Sequence, residues 1–265
     1  MKKYTVDYVI ISKKQQNKMR DILLKNYTFN RISDEKVDDI AKLININRHL
    51  IISYRTLLLK EKIIFNHGKI KSKINNVLSD YDNNILELSK KYDSSPISIL
   101  RLILKKKYPN MKSIKNSIDL FNETDKKQLQ IAEENDYISP LNEDNIQKKS
   151  EEYEEKIAHF LDNKEIKYKT QETLIKEQTD EKGYAYATPD FLLNEPMMIN
   201  DNIINWIEVK NFYGSNIKFM NKKIQKQVNK YYKIWGLGCL VFRYGVYENL
   251  KLDNCYILAF SSKVI

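Results

Sequence analysis

Cysteine, histidine, proline and glycine are all scarce in this 265-residue chain, and the scarcity closes off several classes of function. Cys239 and Cys255 stand too far apart for a C-x-x-C pair, and with only three histidines they offer no zinc-finger or zinc-cluster spacing. So little cysteine carries the expectation of a reducing, intracellular compartment. Long hydrophobic runs are missing too. No window reaches the roughly 18 uncharged apolar residues that a membrane span needs, and the N-terminal "MKKYTVDYVIISKKQQNK" lacks an apolar stretch of secretory length. Neither a secretion signal nor a membrane anchor is expected.

The few glycines are unevenly placed. Gly68 is alone before residue 183, whereas Gly183, Gly214, Gly236, Gly238 and Gly245 punctuate the remainder, where tight turns between strands need them. The first half therefore reads as all-helical. Charge divides the chain in the same region: residues 1–140 carry 27 Lys+Arg against 17 Asp+Glu, and residues 141–265 carry 18 against 18, so the whole net charge of +10 belongs to the first part. A basic helical region (1–140) beside a neutral domain (141–265) predicts that the first holds a polyanion and the second does something else. A lysine-rich solubilising surface is the alternative.

Within the basic region, "NNILELSKKYDSSPISILRLILKKK" predicts a helix with Ile85, Leu88 and Tyr92 on one face and a break at Asp93 and Ser94. A second helix follows with Ser95 as N-cap and Pro96 at the first helical position, where its missing N–H costs nothing. Ile97, Leu100, Ile103 and Leu104 form its buried stripe, and Arg101 and Lys105 share an outward one. This is helix-turn-helix grammar, in which the second helix enters a groove of DNA. A looser echo, "VDDIAKLININRHLIISYRTLLLKEK", places a short helix ending near Leu43 before a longer one carrying Leu50, Ile51, Tyr54 and Leu58, suggesting tandem units. Both pairs also suit a purely structural bundle. Residues 121–150, polar and containing Pro140, read as a partly helical connection between modules.

From Ser150 the pattern becomes helix, strand, strand, helix, strand. "EEYEEKIAHFLDN" is an amphipathic helix with Ile157, Ala158 and Leu161 inward; "IKYKTQETLI", "ATPDFLL" and "NIINWIEVKNF" read as strands, the last two joined across "NEPMMIND". A helix from about Asn216 to Trp235 ends at "GLG" before the strand "CLVFRYGV". The expected fold class is α+β: an N-terminal all-α region followed by an αβ domain with a mixed sheet.

Three charges sit inside the apolar strands. The acidic-x-Lys pattern occurs seven times in the chain, so its letters alone mean little; context singles out "WIEVK". On a strand, Glu208 and Lys210 project from one face while Ile207 and Val209 fill the other. Asp190 belongs to the chain's one Pro-Asp pair and lies 18 residues earlier, a spacing that suits antiparallel neighbours. Two carboxylates meeting at one sheet end, beside an exposed backbone carbonyl such as that of Val209, form a seat for Mg²⁺, with Mn²⁺ as a substitute. Such an ion activates water and stabilises phosphoryl charge, while Lys210 positions or deprotonates the attacking water. A satisfied salt bridge at a strand end is the rival reading. Glu154, on the inward stripe of its helix, is placed to add a carboxylate to the metal site, with Glu151 one turn earlier as the competing assignment. On the last helix, Gln227 borders an apolar stripe that includes Val228, Tyr231 and Trp235, and Lys222, Lys226, Lys230 and Lys233 form a basic stripe suited to tracking a phosphate backbone. A solvated lysine face is the alternative there.

A helix carrying Glu, a strand with Pro-Asp, a strand with Glu-x-Lys and a following helix together resemble the PD-(D/E)XK nuclease superfamily. "TPDFLL", "NWIEVKNFYG" and "Q-x-x-x-YYKIWGLGCLVFRYG" are similar to its TPD-motif branch, which includes the codanin-interacting nucleases of animals. The likeness extends through "DYISPLNEDNI" and "SSPISILRLILKKK", covering most of residues 80–250. It implies a helix-turn-helix region joined to a restriction-endonuclease-like domain, divalent-metal nuclease activity and, in an animal host, a codanin-like partner; a nuclear and cytoplasmic location is expected if the host is eukaryotic. By motif position it makes Asp190 and Glu208 metal ligands, Lys210 the catalytic lysine, Glu154 the helix carboxylate and Gln227 the glutamine after the core. Ser215 departs from the pattern, since relatives can carry an acidic residue there. The expected function is a metal-dependent nuclease acting on DNA. Its rivals are a catalytically silent DNA-binding or scaffold protein and an RNA- or branched-junction-directed nuclease.

Overall fold

The computed structural model describes residues 1–25, 29–30, 32–139, 141 and 144–260. By contact density the chain forms two compact units: Met1–Arg20, Ile44–Tyr54 and Asp144–Ile265 make one, and Asp21–Leu43 with Arg55–Glu143 the other. Pro140, in the stretch read as a connection, lies outside the described residues.

In chain order, the helices α1 (Lys13–Leu24), α2 (Asp34–Ile44), α3 (Arg48–Ser72), α4 (Ile74–Asp80), α5 (Ile85–Lys91), α6 (Pro96–Lys107) and α7 (Glu123–Asn135) precede all but the first strand of the main sheet, with a 3-10 helix at Lys115–Leu120. In the helical unit, Ile85 and Leu88 of α5 pack with Ile97, Leu100, Ile103 and Leu104 of α6 and with Leu129 and Ala132 of α7. The link between α5 and α6 is set by local chemistry. Asp93 adopts a left-handed φ of 47°, and the Ser95 hydroxyl caps α6 by accepting from Ser98 N at 3.1 Å, with Pro96 at the first turn. Neighbouring elements satisfy two further orphan amides: Ile85 N donates to Gln128 Oε1 at 2.9 Å and Ile97 N to Asp136 Oδ2 at 3.1 Å. Asp125, fully buried, is matched by Lys107 Nζ at 2.7 Å and Tyr108 OH at 2.8 Å.

The other unit carries the sheet. Its strands are β1 (Lys3–Tyr4), β2 (Ile10–Ile11), β3 (Tyr168–Thr170), β4 (Phe191–Ile199), β5 (Asn202–Lys210), β6 (Gly238–Phe242), β7 (Val246–Tyr247) and β8 (Cys255–Leu258). Main-sheet order is β1-β4-β5-β6-β8, β3 also pairs with β4, and β2 pairs with β7 in a small second sheet. β4 and β5 are an antiparallel hairpin whose two turn residues, Asn200 and Asp201, have φ of 45° and 62°, the left-handed pair that a tight hairpin turn requires. Between the pairs Leu192↔Trp206 and Met197↔Ile204 the register shifts, so β4 holds extra residues, among them exposed Asn194, Glu195 and Pro196. That bulge divides the outer edge of β4: β3 pairs with it before the bulge and β1 after it. β5, β6 and β8 run parallel.

Helices cover both faces. α8 (Asp144–Asn163) supplies Tyr153, Ile157, Phe160 and Leu161 to a core containing Phe191, Leu193, Ile207 and Val209. α10 (Lys218–Trp235) connects β5 to β6 and sets Tyr231 edge-on to Trp206 at 5.3 Å. Among the described residues no helix is long and apolar enough to cross a membrane.

The α+β class and the mixed sheet agree with the sequence. Three details differ. Two short strands, β1 and β2, occur within the half read as all-helical. The segment "IKYKTQETLI" is a strand for only three residues before α9 (Gln171–Lys182) begins, because the Thr170 side chain caps Thr173 N and Gly183, at φ 80°, ends the helix. Residues read as a connection after Leu193 belong to the bulged strand β4.

Gly238 has a specific steric role. A Cβ there would lie 2.0 Å from Cδ2 of the fully buried Trp206 indole. Gly238→Ala is therefore expected to cost about 3 kcal/mol, measured by urea unfolding followed through tryptophan fluorescence, since Trp206 and Trp235 lie in the same unit. A change within experimental error would mean that the indole does not cross β6 at this point.

Candidate active site

The hairpin register builds the site. Phe191 pairs with Ile207, and one further step places Asp190 opposite Glu208. Asp190 Oδ2 accepts from Val209 N at 2.6 Å, fixing the carboxylate against β5. Glu208 is 4% exposed. Its Oε1 accepts from Lys210 Nζ at 2.6 Å and from Gln227 Nε2 at 2.7 Å, while its Oε2 is buried with no hydrogen-bond partner. Lys210 Nζ also donates to Gln227 Oε1 at 3.0 Å. The structure thus brings Asp190, Glu208, Lys210 and Gln227 together.

Electrostatics places Glu154 beside them. Burial raises the Glu154 carboxyl above its ordinary range, and Glu208 and then Glu151 push in the same direction. Burial likewise raises Asp190, to about 8, with Glu208 the next cause; the Val209 amide opposes the shift. Of the two helix carboxylates, Glu154 is half-buried and acts on Asp190, whereas Glu151 is exposed and accepts from Gln147 Nε2 at 2.9 Å.

Several positioning groups were not legible as such. Tyr231, on the apolar stripe by sequence, accepts from Gln227 Nε2 at 2.9 Å and donates to the Thr188 carbonyl at 3.1 Å. Gln178 of α9, 5% exposed, accepts from Tyr186 N and Ala187 N at 2.8 and 2.9 Å and donates back to the Ala187 carbonyl. These bonds brace the chain immediately before Asp190. The spacing of Gln227 and Tyr231, four apart on one helix, is the sequence signal for the first. The second has no local signal, because the start of α9 reads as a strand and Gln178 lies beyond it.

The donor set is oxygen-rich: two apposed carboxylates, one with an orphaned buried oxygen. An unmatched buried carboxylate oxygen is costly and marks a place for a cation or an ordered water. Among the described residues no three His, Cys, Asp or Glu side chains converge into a cage that could hold a metal by itself. That limit is compatible with Mg²⁺, which takes one or two carboxylates and keeps several waters.

Beside the site, Lys223, Lys226, Gln227, Lys230, Tyr231 and Thr188 line a groove of about 320 Å³. Lys226 and Lys230 come from the basic stripe; Lys223 joins them by helix phase, and Lys222 is exposed outside the lining. Arg101 and Lys105 are exposed on α6, in the helical unit. Ser215 is buried.

A family model described as "Protein of unknown function TPD sequence-motif" matches residues 121–261. The chain is 30% identical over 248 residues to uncharacterized protein L539 of Acanthamoeba polyphaga mimivirus, covering 88% of this chain and 85% of that protein. It is 32% identical over 94 residues to CDAN1-interacting nuclease 1 of Gallus gallus, covering 36% of this chain and 32% of that protein. For CDAN1-interacting nuclease 1 of Homo sapiens the figures are 31% identity over 81 residues, covering 31% and 28%. No solved structure matches the chain. The hairpin that presents Thr188-Pro189-Asp190 opposite Glu208 thus lies within the matched segment, and with a viral relative aligned over most of its length the chain belongs to the TPD sequence-motif family.

Proposed function

We propose that this protein is a divalent-metal-dependent nuclease that hydrolyses phosphodiester bonds in DNA. The observation that carries the reading is the buried Glu208 carboxylate, held by Lys210 and Gln227 through one oxygen, opposite Asp190, with the other oxygen unpartnered. The animal relatives are named as nucleases, which supports it over the matched part of the chain. In an animal host that name also makes a codanin-like protein the partner to test.

Asp190 and the Oε2 atom of Glu208 would hold Mg²⁺, with Glu154 reaching it through water; when bound, the ion supplies an activated water and charge stabilisation at the phosphoryl group. The protein's own groups do the positioning. A lysine ammonium has three donors. Lys210 directs two of them to Glu208 and Gln227, leaving one for the attacking water or a phosphoryl oxygen. Gln227, anchored by Tyr231, keeps the ammonium from swinging away. Lys223, Lys226 and Lys230 follow the strand's phosphates along the adjoining groove, and Arg101 and Lys105 bind duplex phosphates in a helix-turn-helix manner.

Three outcomes are expected. Purified protein in Mg²⁺ cuts DNA within a panel of linear, branched and single-stranded substrates, and Lys210→Ala or Glu208→Gln slows cutting on the order of 10²–10⁴-fold. Equal cutting by wild type and variants would point to a contaminant, and no cutting of any substrate would favour a scaffold role. Second, a carboxyl whose folded pKa is raised lends stability that is complete below its unfolded pKa and is lost as pH rises through the folded value, here between about 4 and about 8. Metal-free Asp190→Asn should therefore melt roughly 4 °C above wild type at pH 8, with the gap narrowing toward pH 5, and added Mg²⁺ should raise the wild-type midpoint but not the variant's. A pH-independent gap would contradict this. Third, Arg101→Gln with Lys105→Gln should lower the salt slope of DNA binding by about two; an unchanged slope would make α6 purely structural.

A further inference from the structure

A second groove lies within the sheet-bearing unit, at the end of β5 and β6 where Lys210 emerges. It encloses about 580 Å³ over an apolar floor, and its polar wall includes His49, Lys149, Tyr153, Lys156, Arg243 and Tyr244. Arg243 is held at several points. Its backbone N donates to the Lys210 carbonyl at 2.9 Å, and Nη1 donates to the Lys149 carbonyl at 2.7 Å and to Asn211 Oδ1 at 2.9 Å. The guanidinium lies 5.3 and 5.4 Å from the ring centres of Tyr153 and Tyr244. Both Nη1 protons are thereby used, while among the described residues the donors on Nε and Nη2 meet no protein acceptor. A guanidinium fixed by one nitrogen and offering the others is preorganised for a two-pronged contact with the oxygens of a phosphate.

The remaining charges agree. Lys149 and Lys156 are exposed on α8 seven residues apart, two helical turns, and so share a face. Neither makes an ion pair among the described residues, and Glu152 is the one acidic side chain in the lining. The local field is positive enough to be felt by His49: burial lowers its pKa first, then Arg48, Arg243 and Lys149 push it the same way. His49 stacks with Tyr244 at 6.0 Å, leaving aromatic surface at the mouth.

We propose that this groove binds a phosphate of a nucleic-acid strand and seats the nucleotide adjoining the candidate active site. Its ligand rests on the nucleic-acid reading given above. The two sites meet at one strand end: Arg243 N bonds the Lys210 carbonyl, and Arg243 Nη1 bonds Asn211, the residue that follows Lys210. The phosphate has two possible sources, a terminal monoester or a backbone diester.

The test measures binding of a 3′-labelled single-stranded oligonucleotide, with and without a 5′-phosphate, in EDTA. Lys149→Gln with Lys156→Gln, both exposed and hence harmless to folding, should weaken binding about ten-fold and lower the salt slope by about one to two. Arg243→Lys, which keeps the charge but loses the fork, should weaken binding with an unchanged slope. Loss confined to the 5′-phosphorylated strand assigns a terminal monoester, and equal loss on both assigns a backbone diester. Unchanged affinity and slope in the double variant, or a wild type that holds neither strand, overturns the proposal. Because EDTA removes cutting, the two readings fail separately. A double variant that binds normally, beside a wild type that cuts in Mg²⁺, removes the groove and leaves the nuclease. Weakened binding beside a wild type that never cuts does the reverse.

Discussion

The buried carboxylate of Glu208 is the constraint on which the sheet-bearing unit is organised. Moving such a charge out of water costs several kcal/mol even after relaxation, and one ion pair returns that only with good geometry and further hydrogen bonds. Lys210 and Gln227 supply those bonds to one oxygen, and the other is left without a partner. Asp190 opposite it adds repulsion, which follows burial as the second cause raising the Asp190 carboxyl. Stability alone does not account for this arrangement, because apolar residues of similar volume would pack there at no such cost. A site that pays in stability for its charges is characteristic of function.

Holding those charges falls to parts of the fold that carry no charge. Antiparallel pairing of β4 with β5 sets Asp190 across from Glu208: the tight Asn200-Asp201 turn fixes the register of residues 197–199, and the bulge shifts it to the one that pairs Phe191 with Ile207. Trp206 lies across β6 where Gly238 has no side chain, and packs on Tyr231, whose hydroxyl holds Gln227 and the Thr188 carbonyl. α9 holds the preceding strand entry through Gln178. From glycine to indole to phenol to amide, each contact removes a freedom that would let the carboxylates drift apart.

Much of this was legible in the chain. Alternation on "NWIEVK" put Glu208 and Lys210 on one face, and helical phase put Ile157 and Leu161 inward with Glu154 near them; these follow from periodicities of two and 3.6, which burial then reinforces. The cap pair Ser95-Pro96 was readable because capping is local. What escaped depends on distant partners. β1 is two residues whose strand character comes only from pairing with Met198 and Ile199. α9 is polar with little periodicity, so the β-like "IKYKT" that precedes it dominated, and its ends are set by Thr170 and Gly183. Tyr231 looked like core because its ring is; its hydroxyl acquires meaning only where the strand entry folds over it. The Arg243 groove is likewise assembled from the turn after β6, α8 and residues near 10 and 49, which no window of sequence shows together.

The central claim is that Asp190 and Glu208 form a divalent-cation seat. The most direct measurement is a crystal of the protein soaked in Mn²⁺ and examined by anomalous diffraction. An anomalous peak within about 2.0–2.4 Å of Glu208 Oε2 and of an Asp190 oxygen, absent in Glu208→Gln crystals, is the predicted result. A fully wetted but metal-free pocket at millimolar Mn²⁺, with Lys210 still closed on Glu208, would contradict it.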